Sequence, residues 1–199
     1  MMNNFTLTRQ STVPARKAAQ AGYFYVRAQE MIVRIGIPQD AEAIESIRVS
    51  AWQAAYREHM PAVYLKSLDP KANLEGLRAA LLSSEPPFLL KVAEINGKVV
   101  AFSISGAPRY QSKGNTVELW ALNVEPAHWR KGIGHFLVRE TLTDAKSRGV
   151  KKVELWCISG NKAACNLYEI CGFTRTGEER TTSTLAGHPL HEVAYENAL

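Results

Sequence analysis

At 199 residues, 46% hydrophobic and 22% charged, the chain has the size and composition of one globular domain with a substantial core. No apolar run approaches the roughly 20 residues needed to cross a bilayer, which argues against a helical membrane protein. The net charge of +5 is no sign of a nucleic-acid surface: much of it sits in Arg9, Arg16, Lys17 and Arg27 against Glu30 alone, and the remainder shows no basic face interleaved with aromatics.

Residues 1–30 lack hydrophobic periodicity and an apolar signal core. Arginine-bearing and acid-poor, they read either as an organelle transit segment or as a disordered tail, an upstream start ahead of Met31. The folded domain is expected over 31–199. A short strand at 32–35 leads to Pro38-Gln39-Asp40, a helix start, and Ile44, Ile47, Ala51, Ala54 and Ala55 form an apolar stripe to about residue 57. Pro61 restarts the chain into a helical stretch with Tyr64, Leu65 and Leu68. Another follows Asp69-Pro70 with Leu74, Leu77, Leu81 and Leu82.

Pro86-Pro87 closes the helical part. Two β-runs, 88–95 and 98–107, flank Asn96-Gly97, a strong hairpin signal. An apolar run at 118–124 precedes the break at Glu125-Pro126. A basic, glycine-punctuated turn at 129–135 then opens a helix whose stripe is Ile133, Phe136, Leu137, Leu142 and Ala145, with Gly149 in place to end it. A second apolar run at 153–158 leads to Asn161 and a short helix closing at Cys171-Gly172-Phe173. The segment 174–184 is polar, and the last strand is expected at 190–195. The reading is α/β: a mixed sheet of about six to seven strands flanked by about four helices, in the order β-α-α-ββ-β-α-β-α-β-β. Cys157, Cys165 and Cys171 cannot all pair and match no zinc spacing, so they read as buried thiols of a reducing, cytoplasmic setting, with no metal.

Gly132 and Gly134 allow close backbone approach, and the amides of residues 130–135 are unpaired donors at a helix N-terminus. Such a turn is a phosphate clamp or a device for tight packing; the sequence of the turn alone allows both. A P-loop is excluded because no Gly-Lys-Ser/Thr follows, and a dinucleotide fingerprint fails at Leu137, where its third glycine belongs. Asn161 suits a helix N-cap. Tyr168 lies two turns on, along the same stripe.

The segment 161–173, Asn161-Lys162-Ala163-Ala164-Cys165-Asn166-Leu167-Tyr168-Glu169-Ile170-Cys171-Gly172-Phe173, resembles the N-x-x-A-x-x-L-Y-E-x-x-G-F segment of the GNAT superfamily of acyl-CoA-dependent N-acyltransferases. Leu122-Asn123-Val124-Glu125-Pro126 followed by Arg130-Lys131-Gly132-Ile133-Gly134 is similar to that superfamily's pyrophosphate-binding segment. The likeness covers about 31–199. Trp129 stands where the family has Gln or Arg, and Arg130 where it has glycine.

What the resemblance implies is transfer of an acetyl group from acetyl-CoA to a primary amine, of a small molecule or a protein terminus, by direct attack in a ternary complex. Arg130, Lys131, Gly132, Ile133, Gly134 and His135 would hold the pyrophosphate. Leu122, Asn123 and Val124 would pair with the pantetheine amides, Asn161 would stand beside the cofactor, and Tyr168 would protonate the leaving thiolate. Dimers are common in the family.

An amine of pKa ~10.4 costs about 4.6 kcal/mol to hold neutral at pH 7, so a base is sought. Glu118 is the expected base; the alternative is that its carboxylate accepts from a backbone amide or pairs with a surface cation near the strand start. Glu118 lies in an apolar, central strand, on a face assigned with Trp120, Leu122 and Val124, and fourteen residues ahead of Gly132, an offset at which several members of the family carry a base. Trp52, Tyr56 and Tyr110, with His59 and Tyr64 nearby, are expected around the acceptor; Trp52 and Tyr56 are equally explained as core. Two rival readings stay open: a non-catalytic acyl-CoA-binding module, and a nicotinamide-dinucleotide-binding protein.

Overall fold

The computed structural model describes residues 31–110, 114–183 and 187–199; the predicted extension at 1–30 lies outside them. Asn96 and Gly97 both take positive φ, 51° and 77°, the pairing that a type I′ turn requires. They fold β2 (Phe88–Ile95) back on β3 (Lys98–Gly106). To one side β1 (Met31–Ile35) pairs with β2, and to the other β4 (Thr116–Val124) pairs with β3, all antiparallel. Next to β4, and parallel to it, runs β5 (Lys152–Ile158). The chain ends with β6 (Thr174–Thr182) and β7 (Leu190–Ala198), and β7 inserts between β5 and β6. The result is a seven-stranded mixed sheet of order β1-β2-β3-β4-β5-β7-β6, with β4 at its centre.

Five helices cover it: Pro61 and Asp69-Pro70 divide the first helical region, as their positions in the sequence suggest, into α1 (Ala41–Ala55), α2 (Ala62–Ser67) and α3 (Leu74–Leu82). On one face Ile44 and Ile47 of α1, with Leu77 and Leu81 of α3, pack on Leu90, Val92 and Phe102. On the other lie α4 (Ile133–Ser147) and α5 (Lys162–Ile170). The buried face of α4 is Ile133, Leu137, Val138, Thr141 and Ala145; Phe136 and Leu142, expected inside, are half-buried. The stripe is turned because α4 spans two apolar clusters, with Leu137 in one and Val138 in the other. Thr141 is tolerated there since its hydroxyl donates to the Leu137 carbonyl at 3.0 Å. Truncating fully buried Leu137 to alanine would cost about 2–5 kcal/mol. No helix among the described residues is long and apolar enough to cross a membrane.

Two irregularities shape the centre. Ile104 faces Ala121 and Ser105 faces Leu119, which leaves Trp120 as an extra residue, a β-bulge in β4. The bulge reverses the side-chain alternation. Val117 and Leu119 point into the core under α4 and α5, and beyond the bulge Leu122 and Val124 do so again. Glu118 is therefore on the opposite face from Leu122 and Val124, which corrects the shared face expected from strict alternation. The second irregularity is that β4 and β5 pair only over Thr116–Glu118 and Lys152–Glu154. Past these residues they diverge, β4 keeping to β3 up to Val124 and β5 to β7 up to Ile158. Two strand edges thus face each other across a split in the middle of the sheet.

Candidate active site

The split opens toward the start of α4. A one-turn helix at Pro126–His128 leads into Trp129, whose indole Nε1 donates to the Val124 carbonyl at 2.6 Å and fastens the loop to the end of β4. Arg130 then takes φ 59° and Gly132 φ 79°, so the chain turns sharply into the helix. Trp129 N reaches the Pro126 carbonyl and Phe136 N the Gly132 carbonyl. Among the described residues, no carbonyl or side chain accepts from the amides of residues 130–135. A Cβ at Gly134 would stand 3.1 Å from Leu167 Cδ2 and 3.7 Å from Val124 Cγ2. Glycine there lets the helix mouth sit close against β4 and α5. Arg130, Lys131 and His135 are exposed around it. Six free amides at the positive end of a 15-residue helix, ringed by basic side chains, suit a pyrophosphate.

A cavity of about 200 Å³ occupies the split. Leu119, Trp120, Ala121, Leu122 and Asn123 of β4 form one bank; Trp156, Cys157 and Ile158 of β5 form the other. Asn161, Ala164 and Tyr168 of the α5 region also line it. The Asn161 carbonyl oxygen caps α5, accepting from Ala164 N at 3.1 Å. Tyr56 closes the cavity from α1 together with Trp52, whose ring it meets edge-on at 5.6 Å. Tyr168 packs edge-on against Phe173 at 5.9 Å and tilted against Tyr195 at 6.3 Å. Burial pushes its hydroxyl well above the ordinary tyrosine value, and burial likewise pushes Tyr56 up to about 12. Both therefore stay protonated at neutral pH.

Tyr110, also expected near the acceptor, lines the cavity. His59 and Tyr64 do not. The His59 ring packs over Gly160 so closely that a Cβ there would overlap it, and Tyr64, on α2, belongs to the cluster around Met60 and Leu65.

Glu118 is 1% exposed but is not among the residues that line the cavity. Its carboxylate accepts from Arg109 three times: from Nη2 at 2.6 Å, from Nε at 3.0 Å and from the backbone N at 2.7 Å. The bulge completes this arrangement. The Trp120 ring lies flat over Gly106, where a Cβ would clash at 2.5 Å, donates to the Ala107 carbonyl at 3.0 Å and sits 5.6 Å beneath the Arg109 guanidinium. Together they fix residues 107–110, and Tyr110 with them.

Among the cavity residues that the sequence did not single out are Arg109, Trp156, Arg180 and Glu192. Arg180 of β6 and Glu192 of β7 are cross-strand partners, joined by Nε to Oε2 at 2.6 Å. The Arg180 guanidinium lies 3.9 Å from the Tyr110 ring centre and 4.0 Å from that of Trp156. An opposite-charge cross-strand pair is a readable signal only once the register of β6 on β7 is known.

Known proteins share this fold. The model of the Acetyltransferase (GNAT) family matches residues 42–173. The chain is 24% identical to the uncharacterized N-acetyltransferase YuaI of Bacillus subtilis over 155 residues, 78% of this chain and 86% of that protein. It is 33% identical to the [ribosomal protein bS18]-alanine N-acetyltransferase of Escherichia coli K12 over 78 residues, 39% of this chain. That match spans about half of the enzyme, 49% of its length. In fold it is similar to the PaiA N-acetyltransferase of Thermoplasma acidophilum in complex with coenzyme A, with a TM-score of 0.70 and 20% identity over 85% of this chain and 99% of that one. With the family model laid over the split strands, the mouth of α4 and the Asn161–Tyr168 helix alike, the chain belongs to the GNAT family of acetyltransferases.

Proposed function

We propose that the protein moves an acetyl group from acetyl-CoA to a primary amine by direct attack within a ternary complex. The observation that carries this reading is the row of unpartnered amides at residues 130–135, set beside two strand edges that face each other without pairing. The amides, with Arg130 and Lys131, hold the pyrophosphate. The free edge of β4 at Leu122, Asn123 and Val124 offers main-chain donors and acceptors to the pantetheine, as an added strand would take them. The thioester supplies an activated acyl carbon at the cavity.

The amine lone pair attacks that carbon, the carbon–sulfur bond breaks, and Tyr168 gives its proton to the departing thiolate. A free thiol has a pKa of about 8.5 and leaves readily, so this help is modest. For the proton on the amine, Glu118 is poorly placed: it accepts three hydrogen bonds from Arg109 and does not line the cavity. We assign that role to Glu192, the carboxylate that lines it, through Oε1, since its Oε2 accepts from Arg180 Nε at 2.6 Å. Cys157, Cys165 and Cys171 are all buried free thiols, which suits a reducing, cytoplasmic setting.

The test is thiol release from acetyl-CoA across a panel of amines, amino acids, polyamines, aminoglycosides and peptides, beside calorimetry with coenzyme A. Turnover with any amine supports transfer. Coenzyme A binding with no turnover would reduce the protein to an acyl-CoA-binding module. Absence of coenzyme A binding while another phosphorylated ligand saturates the cleft would overturn the reading altogether.

A further inference from the structure

The amide of Glu125 donates to the Val100 carbonyl at 2.9 Å, and Val124 stands opposite Ala101 in the register of β4 on β3. Along a strand of an antiparallel ladder, successive residues turn their main-chain groups to opposite sides. The N–H and C=O of Val124 therefore point away from β3, towards the edge that β5 leaves unpaired. That edge is where the pantetheine arm would add as a strand, and Val124 is its last residue before the turn into α4.

The carbonyl at this position is already engaged. Trp129 Nε1 donates to it at 2.6 Å, from a ring that is 39% exposed. The backbone of Trp129 is fixed separately, its N–H donating to the Pro126 carbonyl at 3.2 Å. The indole is thus free to leave by side-chain rotation alone, with the amides of residues 130–135 kept in place. Leaving costs little, since a half-exposed indole N–H finds water once it is released. An arm that pairs with the edge brings an amide N–H of its own to the same oxygen. Two donors meet one outward carbonyl, and the chain itself supplies one of them.

We propose that Trp129 competes with the pantetheine arm for the Val124 carbonyl, so that cofactor binding displaces the indole and residue 129 sets how much the arm adds to affinity. This rests on the acetyl-CoA reading of the cleft and gives it an intramolecular rival.

The experiment compares coenzyme A with adenosine 3′-phosphate 5′-diphosphate, the same nucleotide without its arm. Both are titrated by calorimetry into the full chain, wild type and Trp129→Phe. Phenylalanine keeps an aromatic ring at the position and removes the N–H. The ratio of the two affinities isolates the arm, because any loosening of the turn into α4 weakens both ligands alike and cancels. That ratio should rise by about 3–10-fold in Trp129→Phe, the scale of one hydrogen bond regained by the arm. A ratio that stays the same or falls would overturn the proposal.

The indole N–H is a second, direct readout. Its resonance is the one of four tryptophan signals that Trp129→Phe removes. Its exchange with solvent should be slowed in the free chain and in the nucleotide complex, and faster by about 10-fold or more in the coenzyme A complex. Protection that persists with coenzyme A bound would mean that the indole keeps the carbonyl; the proposal then fails while the cofactor reading stands. Failure of coenzyme A to bind the wild type would instead remove the cofactor reading, and this inference with it.

Discussion

The two sides of the split sheet are built from different material. At the mouth of α4 the ligand groups are main-chain amides, shaped by two residues with positive φ and by the contact of Gly134 with Leu167. On the side formed by β6, β7 and residues 107–110, the working groups are side chains held by one another: Arg109 by Glu118 and Trp120, Arg180 by Glu192, Tyr110 and Trp156. A backbone site is indifferent to most side chains and sensitive to geometry. A side-chain site is the reverse. Single substitutions should therefore act strongly on the acceptor side and weakly at the mouth, unless they alter the path of the chain.

The largest effect separates two carboxylates. Glu192→Gln removes the acid that lines the cavity and should lower kcat/KM by about 100-fold near pH 7, the scale of a lost general base, with coenzyme A affinity retained. Glu118→Gln should change kcat by less than about 3-fold and instead lower the melting temperature by about 2–4 °C. Its partner Arg109 is 44% exposed, so the pair is worth about 1 kcal/mol. Steady-state kinetics on both variants, run beside thermal melts, checks the pair; the opposite ranking would return the base role to Glu118.

Tyr168→Phe should lower kcat by about 10-fold with coenzyme A affinity unchanged, since a thiolate needs little help to leave. Because burial raises the Tyr168 hydroxyl, the wild-type rate should show no alkaline decline below about pH 10, which a kcat profile from pH 6 to 10 reads directly. Tyr56 gives the matching stability prediction. Its folded value of about 12 lies above the unfolded ~10, so its contribution is complete below pH 10 and is lost as pH rises from 10 towards 12. Urea midpoints across that range should fall less in Tyr56→Phe than in the wild type.

Gly134→Val tests geometry at the mouth. Branched carbons beginning 3.1 Å from Leu167 would lever the helix start off β4, costing about 1–3 kcal/mol of stability and weakening coenzyme A by about 10-fold in calorimetry. Lys131→Ala, beside it, should weaken coenzyme A by only about 2–5-fold.

These differences also explain what the sequence disclosed. The mouth of α4 is a contiguous run, and Asn96-Gly97 and Asn161 act on residues within four positions of themselves, so each could be read locally. A buried carboxylate at Glu118 reads equally as a base or as an acceptor for a backbone amide and a nearby cation; the partner, Arg109, cannot be named from the sequence because it reaches Glu118 only through the β3–β4 loop. The bulge at Trp120 is marked by no residue in β4 itself; its trace is Gly106 on the neighbouring strand, whose missing side chain makes room for the indole. Arg180 and Glu192 meet only through a register that itself shifts between Arg175 and Glu179, out of reach of any periodicity count.

The smallest expected effect is the sharpest on the backbone argument. Arg130 holds φ 59°, a left-handed conformation that costs an L-residue about 1–2 kcal/mol. Glycine removes that strain, although the unfolded chain gains freedom worth about 0.5–1 kcal/mol, so Arg130→Gly should stabilise by about 0.5–1 kcal/mol and raise the melting temperature by about 1–4 °C. The exposed guanidinium is lost at the same time, and coenzyme A should weaken by about 2–5-fold, with a shallower dependence on salt. Arg130→Ala isolates the two contributions: it forfeits the same charge but keeps a Cβ in the strained conformation, so it should match the glycine variant in affinity without matching its stability. If both variants melt alike, the turn into α4 is not strained at residue 130, and its shape is held by the Trp129 clamp on Val124 rather than by the chain's own torsions.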